Sequence, residues 1–292
     1  MDIVITYVDG TDPRWLEQYR RTVGGQMIAK RYRDWGTLKY LLRGIDLHMG
    51  YVRKVFLVVA SESQVPQWID KEKVDVVLHS DIIPSEYLPT FNSCVIEMFL
   101  HRIPGLDERF VYFNDDIFPM TDCQEDYLFP GGLPRVGFTK HHFAFNSYMK
   151  QTRRSDSLAR KALGMEEVRG FIRPQHICFP MLRSGCEALF EDASEQIIGS
   201  LSPLRTEKNF NFYLYLDYMY HKGEMVSRPI SKKHFSLAVT SPRRIASFIK
   251  DPDRPFICIN DVRMSDARFE VRRETLVRAF DARFPEKSRF EK

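Results

Sequence analysis

The amino-acid sequence predicts an α/β fold: an open, mainly parallel sheet followed by a loop- and helix-rich C-terminal half. Three observations predict it. Short apolar runs alternate with segments of helical periodicity, two of those runs are continuously apolar as in strands covered on both faces, and the alternation fades after Asp122. Residues 2–8 alternate apolar and β-branched side chains and stop at the turn pair Asp9-Gly10. Pro13 suits the first turn of a helix starting near Arg14. Asp34 is expected to N-cap a helix whose Leu38, Leu41, Leu42 and Ile45 fall on one face. Residues 55–59 and 74–78 read as buried strands. Asn92 or Ser93 caps a helix carrying Val95, Ile96, Phe99, Leu100 and Ile103. The strand at residues 110–113 runs straight into Asn114-Asp115-Asp116. Further on, residues 130–175 read as loop-rich, 210–220 as a buried aromatic helix, 256–259 as a short strand and 275–284 as an amphipathic helix. With no clean linker, residues 1–292 are expected to form one domain, with a sheet core at 1–122 and decoration at 123–292 that completes the site.

Composition narrows the function. The net charge of +4 is too small to argue for nucleic acid. Five cysteines, Cys94, Cys123, Cys178, Cys186 and Cys258, lack zinc-site spacing and are odd in number, which argues for a reducing compartment. No apolar run is long enough to span a bilayer, and no leader precedes the first strand, so a cytoplasmic protein is expected. A mildly basic tail leaves peripheral attachment to the inner membrane as an alternative. The aromatic share of 13% is mostly core, with some rings available to a sugar-binding cleft.

Chemistry is expected beyond the carboxyl ends of the strands, where open α/β sheets bind ligands. Two strands end there in acids, at Asp9-Gly10 and at Asn114-Asp115-Asp116. Adjacent carboxylates repel, and a hard divalent cation such as Mg²⁺ or Mn²⁺ would relieve them; a capped turn is the plainer alternative. Asp9-Gly10-Thr11 matches the end of a DxDGT phosphatase signature, but Tyr7 stands where the nucleophilic carboxylate is needed, which excludes that chemistry. Asp9 and Asp12 are left to contact a ribose or base, or to cap a helix. Asn260-Asp261 ends another apolar run and is a further candidate for a metal site, although a turn explains it nearly as well. His176, in a loop-to-helix context, and Arg205, before the aromatic helix, have plain structural readings on their own, as do His79, His101 and His234.

The chain resembles the Stealth family of sugar-phosphate transferases, which includes bacterial capsule and exopolysaccharide phosphotransferases and, more distantly, the N-acetylglucosamine-1-phosphotransferase alpha/beta subunits. The resemblance rests on DIVITYVDGTDP at residues 2–13; RYRDWGTLKY at 31–40; YVRKVFLV, LPTFNS, HRIPGL and FVYFNDD between 51 and 116; RPQHICFP at 173–180; and RPFICIND at 254–261. It implies a glycosyltransferase-like, nucleotide-sugar-binding sheet, a divalent metal, a nucleotide-sugar donor and a sugar or polysaccharide acceptor. The same resemblance assigns catalysis to Asp115, His176 and Arg205. Beside it, substrate contacts are expected of Asp9, Gly10, Asp12, Arg31, Asp34, Lys39, Arg43, Asn92 and Asn114, and metal binding of Asp116, Asn260 and Asp261. Trp35 and Thr37 depart from the Asn and Glu that the family often carries, which implies a different contact with the donor. The alternatives are a metal-dependent glycosyltransferase and a silent sugar-binding module.

Overall fold

Continuous apolar runs become the central strands. The computed structural model describes residues 1–24, 27 and 32–292. In chain order its strands are β1 (Asp2–Thr6), β2 (Lys54–Val59), β3 (Asp75–Leu78), β4 (Arg109–Phe113), β5 (Ile117–Pro119), β6 (Arg135–Val136), β7 (Phe138–His141), β8 (Phe171–Pro174), β9 (Phe179–Leu182), β10 (Val226–Ser227), β11 (Lys232–Ser236) and β12 (Phe256–Asn260). The main sheet is open and mainly parallel, in the order β3-β2-β1-β4-β9, with β9 antiparallel to β4. Side chains of β2 from Val55 to Val59 are all buried, as a strand covered on both faces requires.

The chain gathers into two compact units. Residues 5–76, 113–125 and 231–292 make one of them. Its core stacks Tyr40 on Phe280 at 5.2 Å between the helices Leu38–His48 and Asp266–Arg283. A second sheet, β11-β12-β5, runs alongside: β11 is parallel to β12, and β12 antiparallel to β5 with Cys258 opposite Ile117. Gly44 lets the helix approach β5. A Cβ there would lie 2.6 Å from the Pro119 carbonyl oxygen, closer than any side chain tolerates.

The other unit comprises residues 1–4, 77–112 and 126–230. Its centre is the helix Tyr213–Lys222, which buries every side chain from Tyr213 to Met219, as the aromatic run predicted. Against it packs the helix Ser147–Ala162, inside the segment expected to be loop-rich. The reason is physical. The buried stripe of that helix includes Gln151, Thr152, Ser155 and Asp156, so apolar periodicity could not announce it. Two further expectations are corrected. Thr37 rather than Asp34 precedes the helix Leu38–His48, and its side chain makes no capping bond. His176 lies in the loop joining β8 to β9, not before a helix.

Candidate active site

Within the first unit, the turn after β4 and the end of β12 carry acids into one pocket. The antiparallel β12–β5 ladder explains why: it continues in the Ile259 amide, which donates to the Asp116 carbonyl at 2.9 Å, so the ends bearing Asp116 and Asp261 converge. Asp115, Asp116 and Asp261 line this pocket with Arg33, Trp35 and Phe118. Trp35 donates its indole N–H to Asp261 at 3.1 Å and packs edge-on against Phe269 at 4.7 Å. The Asp261 carboxylate also accepts the Val262 amide at 2.6 Å. Asn260 is exposed, and its carbonyl accepts the Leu237 amide.

The electrostatics are those of crowded acids. Enclosure by protein, and then the carboxylates of Asp116, Asp34 and Asp261, push the Asp115 pKa up to about 7. Asp115 nevertheless meets solvent, so the like-charge repulsion is the firmer cause, and it is the part a cation would reverse. Asp34 is raised by burial, while bonds from the Gly36 amide at 2.8 Å and the Tyr7 hydroxyl at 3.1 Å oppose the rise. Tyr7 is raised in turn, by burial and then by Asp34, and stays a phenol that donates. These carboxylates supply hard oxygen donors suited to a divalent cation. Arg33 adds the opposite charge: its Nη1 is buried with no hydrogen-bond partner among the described residues.

The loop after β1 is built from inside. Gln64, nearly fully buried, accepts the Asp9 amide at 2.7 Å and donates to the Asp12 carboxylate at 2.8 Å. Asp9 turns its own carboxylate onto Thr11, at 2.8 Å to the amide and 2.6 Å to the hydroxyl. Asp12 caps the helix Pro13–Val23 through the Arg14 amide and accepts from Ser63 at 2.6 Å. Burial alone would raise Asp12, but these bonds outweigh it and lower its pKa. Gly10 is required sterically, since a Cβ would sit 2.2 Å from the Tyr32 carbonyl oxygen. Lys39 pairs with Asp281 at 3.6 Å, and Arg43 holds Glu291 through two 2.8 Å bonds, so both cations have partners inside the fold. Asn114 accepts the Ile117 amide through its carbonyl. Arg31 lies outside the described residues.

The second unit holds Asn92, His176 and Arg205. Asn92 caps the helix Ser93–Phe99 through the Cys94 amide at 3.1 Å and donates to Asn209 at 3.1 Å. Asn209 also accepts the Thr206 amide at 2.6 Å, which fixes the loop bearing Arg205. Arg205 is exposed and donates to the Ser93 hydroxyl. Behind it Glu97 is buried, accepting from the Phe212 amide at 3.3 Å and the Tyr112 hydroxyl at 3.4 Å. Burial raises Glu97 to about 7, and the Arg205 charge pulls the other way. His176 is half-buried with its ring 6.0 Å from Phe179.

Residues 31–134 match the family model described as Stealth protein CR2, conserved region 2. An exopolysaccharide phosphotransferase of Lactiplantibacillus plantarum, cps2G, is 31% identical, covering 100% of this chain and 96% of the relative. A capsular polysaccharide phosphotransferase of Actinobacillus suis is 30% identical over 86% of this chain and 72% of its own length. The chain belongs to the Stealth family. The capsular polysaccharide phosphotransferase WcwK of Streptococcus pneumoniae, 29% identical, is matched over 100% of this chain and 99% of that protein. Among solved structures, the galactosyltransferase LgtC, in complex with donor and acceptor sugar analogs, covers 97% of this chain and 96% of its own at a TM-score of 0.47 and 11% identity.

Against this Stealth background, sequence reasoning missed Arg33, Gln64 and Glu97. Arg33 sits inside the second resembling block, between Tyr32 and Asp34, and its position next to a predicted site residue was the available signal. Gln64 and Glu97 are lone polar residues with no motif around them. Only their burial in the fold, at 2% and 3% exposure, marks them as organisers.

Proposed function

We propose that this chain moves a hexose-1-phosphate from a nucleotide sugar to a sugar hydroxyl, forming a phosphodiester in capsule or exopolysaccharide synthesis. The observation that carries the reading is one pocket lined by Asp115, Asp116 and Asp261 together with Arg33, whose buried Nη1 has no hydrogen-bond partner among the described residues. Clustered carboxylates call for a cation, and a spare guanidinium donor calls for phosphate oxygen; a nucleotide diphosphate with Mg²⁺ or Mn²⁺ answers both. The names of the relatives point the same way. All five cysteines are free and buried, which suits the reducing cytoplasm, and among the described residues no helix is long and apolar enough to cross a membrane.

Each residue then has a task. Asp116 and Asp261, with Asp115 beside them, would hold the cation, which when bound neutralises pyrophosphate charge. Trp35 keeps Asp261 turned toward the pocket, and Asp34, held by the Tyr7 hydroxyl, adds its charge to those around Asp115. The acceptor hydroxyl oxygen attacks the phosphorus bonded to the donor sugar. The bond from that phosphorus to the bridging oxygen breaks, and its electron pair leaves with the nucleoside monophosphate. His176 takes the hydroxyl proton, and Arg205, backed by Glu97, stabilises the equatorial oxygens.

The bond broken tests the proposal. Attack at phosphorus gives nucleoside monophosphate one-for-one with a phosphodiester signal in the ³¹P spectrum. Nucleoside diphosphate with a phosphate-free glycoside would instead mark an ordinary glycosyltransferase. Excess chelator should abolish turnover and Mg²⁺ or Mn²⁺ restore it. Asp116→Asn should lower kcat by about 100-fold or more at an unchanged circular dichroism spectrum. Full activity in chelator removes the cation from the proposal.

A further inference from the structure

The exposed aromatic rings are not scattered evenly. Phe143, Phe145 and Tyr148 are 68%, 85% and 43% exposed, and they cluster between β7 and the first turn of the helix Ser147–Ala162. Phe143 and Phe145 stand side by side, ring centroids 5.9 Å apart and tilted by 32°. Isolated surface apolar residues need no explanation, but an adjacent pair of exposed phenyl rings does. The helix start beside the rings is anchored: Asn146 accepts the Met149 amide at 2.9 Å, Ser147 donates to Glu207, and the Tyr148 and Tyr213 hydroxyls meet at 2.7 Å.

Charge surrounds the rings on one side of the ledger only. Residues 140–154 contain Lys140, Lys150, Arg153 and Arg154, with His141 and His142, and neither Asp nor Glu. All four Lys and Arg side chains are exposed. Lys150, Arg153 and Arg154 sit three and four residues apart and therefore share one helix face. The nearby acid Glu207 is already engaged, its carboxylate by Ser147 and its carbonyl by Arg154 at 2.7 Å. Toward the far end of the helix Ser157 donates to Glu167, and the exposed Lys161 one turn further on continues the basic face.

From the exposed phenyl pair and the acid-free basic face beside it, we infer that residues 140–154 form a docking surface for an anionic phospholipid membrane. Phenyl rings enter the headgroup boundary while Lys and Arg meet lipid phosphates, the pairing that interfacial segments use. A saccharide platform is the competing occupant, and the chemistry disfavours it. The exposed charges here are all cations, with no carboxylate to accept a sugar hydroxyl, and two tilted phenyl faces give no flat, polar-rimmed shelf.

Vesicle sedimentation tests this independently of the transfer reaction. The full chain should bind phosphatidylglycerol-containing vesicles at least tenfold better than pure phosphatidylcholine, and high salt should release it, since each basic contact is worth about fivefold. Phe143→Ser with Phe145→Ser, and separately Lys150→Glu with Arg153→Glu, should each weaken binding at least tenfold. Transfer to a soluble acceptor should be unchanged in the phenylalanine variant. Equal binding to both vesicle types, or binding indifferent to both pairs of substitutions, overturns the inference. Absence of vesicle binding together with a raised acceptor KM in the phenylalanine variant overturns it in favour of a saccharide platform.

Discussion

Asp217 sits fully buried in the helix Tyr213–Lys222, and neither carboxylate oxygen has a hydrogen-bond partner among the described residues. Burial, and then the Asp156 charge, raise its pKa well above 3.8. The native state therefore keeps a proton that the unfolded chain releases. This contribution to stability is whole below the unfolded pKa and is lost as pH rises above it. Replacing the group by an apolar side chain of similar volume removes that loss. Asp217→Leu should stabilise the protein at pH 7 by about 1–3 kcal/mol in denaturant titrations, and the gain should shrink toward pH 4. A gain that does not vary with pH would show that Asp217 is not held protonated. At this scale the acids of the candidate site were legible, because Asp115, Asp116 and Asp261 follow apolar runs and strand ends are where such sheets bind ligands. Gln64, Glu97 and Asp217 were not, because a lone polar letter does not reveal whether folding buries it.

Among the elements, β5 is the short strand that sets the acidic turn, and Gly44 is what the helix Leu38–His48 presents to it. Gly44→Ala gains helix propensity but pushes a methyl group into the Pro119 backbone, which cannot yield as a flexible side chain would. A net loss of about 1–3 kcal/mol is expected from the overpacking, with activity falling as Pro119 and the preceding acids shift. Gly199, in the helix Ser194–Ser200, is the control, since a Cβ there meets nothing within 4 Å. Gly199→Ala should be neutral or stabilise by up to about 1 kcal/mol. Thermal melts of the two variants moving together would remove the packing argument. Strands β1 to β4 of the main sheet were readable from their short apolar runs, whereas β9 was not, and the helix at Ser93–Phe99 was readable from its Asn92 cap. The helix Ser147–Ala162 was hidden by its polar buried stripe, and the β12–β5 register by distance along the chain.

For the molecule as a whole, acid stability reflects groups that pull in opposite directions. Burial lowers His79 to about 4 and, with Arg102 assisting, His101 to about 4 as well. Both rings stay neutral in the fold and take up protons near pH 6.5 once unfolded. Their contribution is complete above that pH and is lost as pH falls toward 4, by at most about 3 kcal/mol per ring. Glu97, raised to about 7, and Asp217, raised well above its usual range, work the other way: folding keeps both protons, so their contribution grows as pH falls from 7 toward 4.5 and offsets the two histidines. The wild-type Tm should therefore change little between pH 6.5 and 4.5. His101→Gln should shift the balance so that Tm rises on acidification, and an unchanged profile would mean that the ring is not held neutral. The β12–β5 pairing has a consequence in time as well. Cys258 and Asp116, in contact there, are 142 residues apart, and closing a loop of that length costs roughly 4 kcal/mol of chain entropy. Contacts so distant form late. During synthesis the acidic turn leaves the ribosome long before the strand that completes its pocket, so an unfinished chain has no assembled pocket to offer a nucleotide sugar.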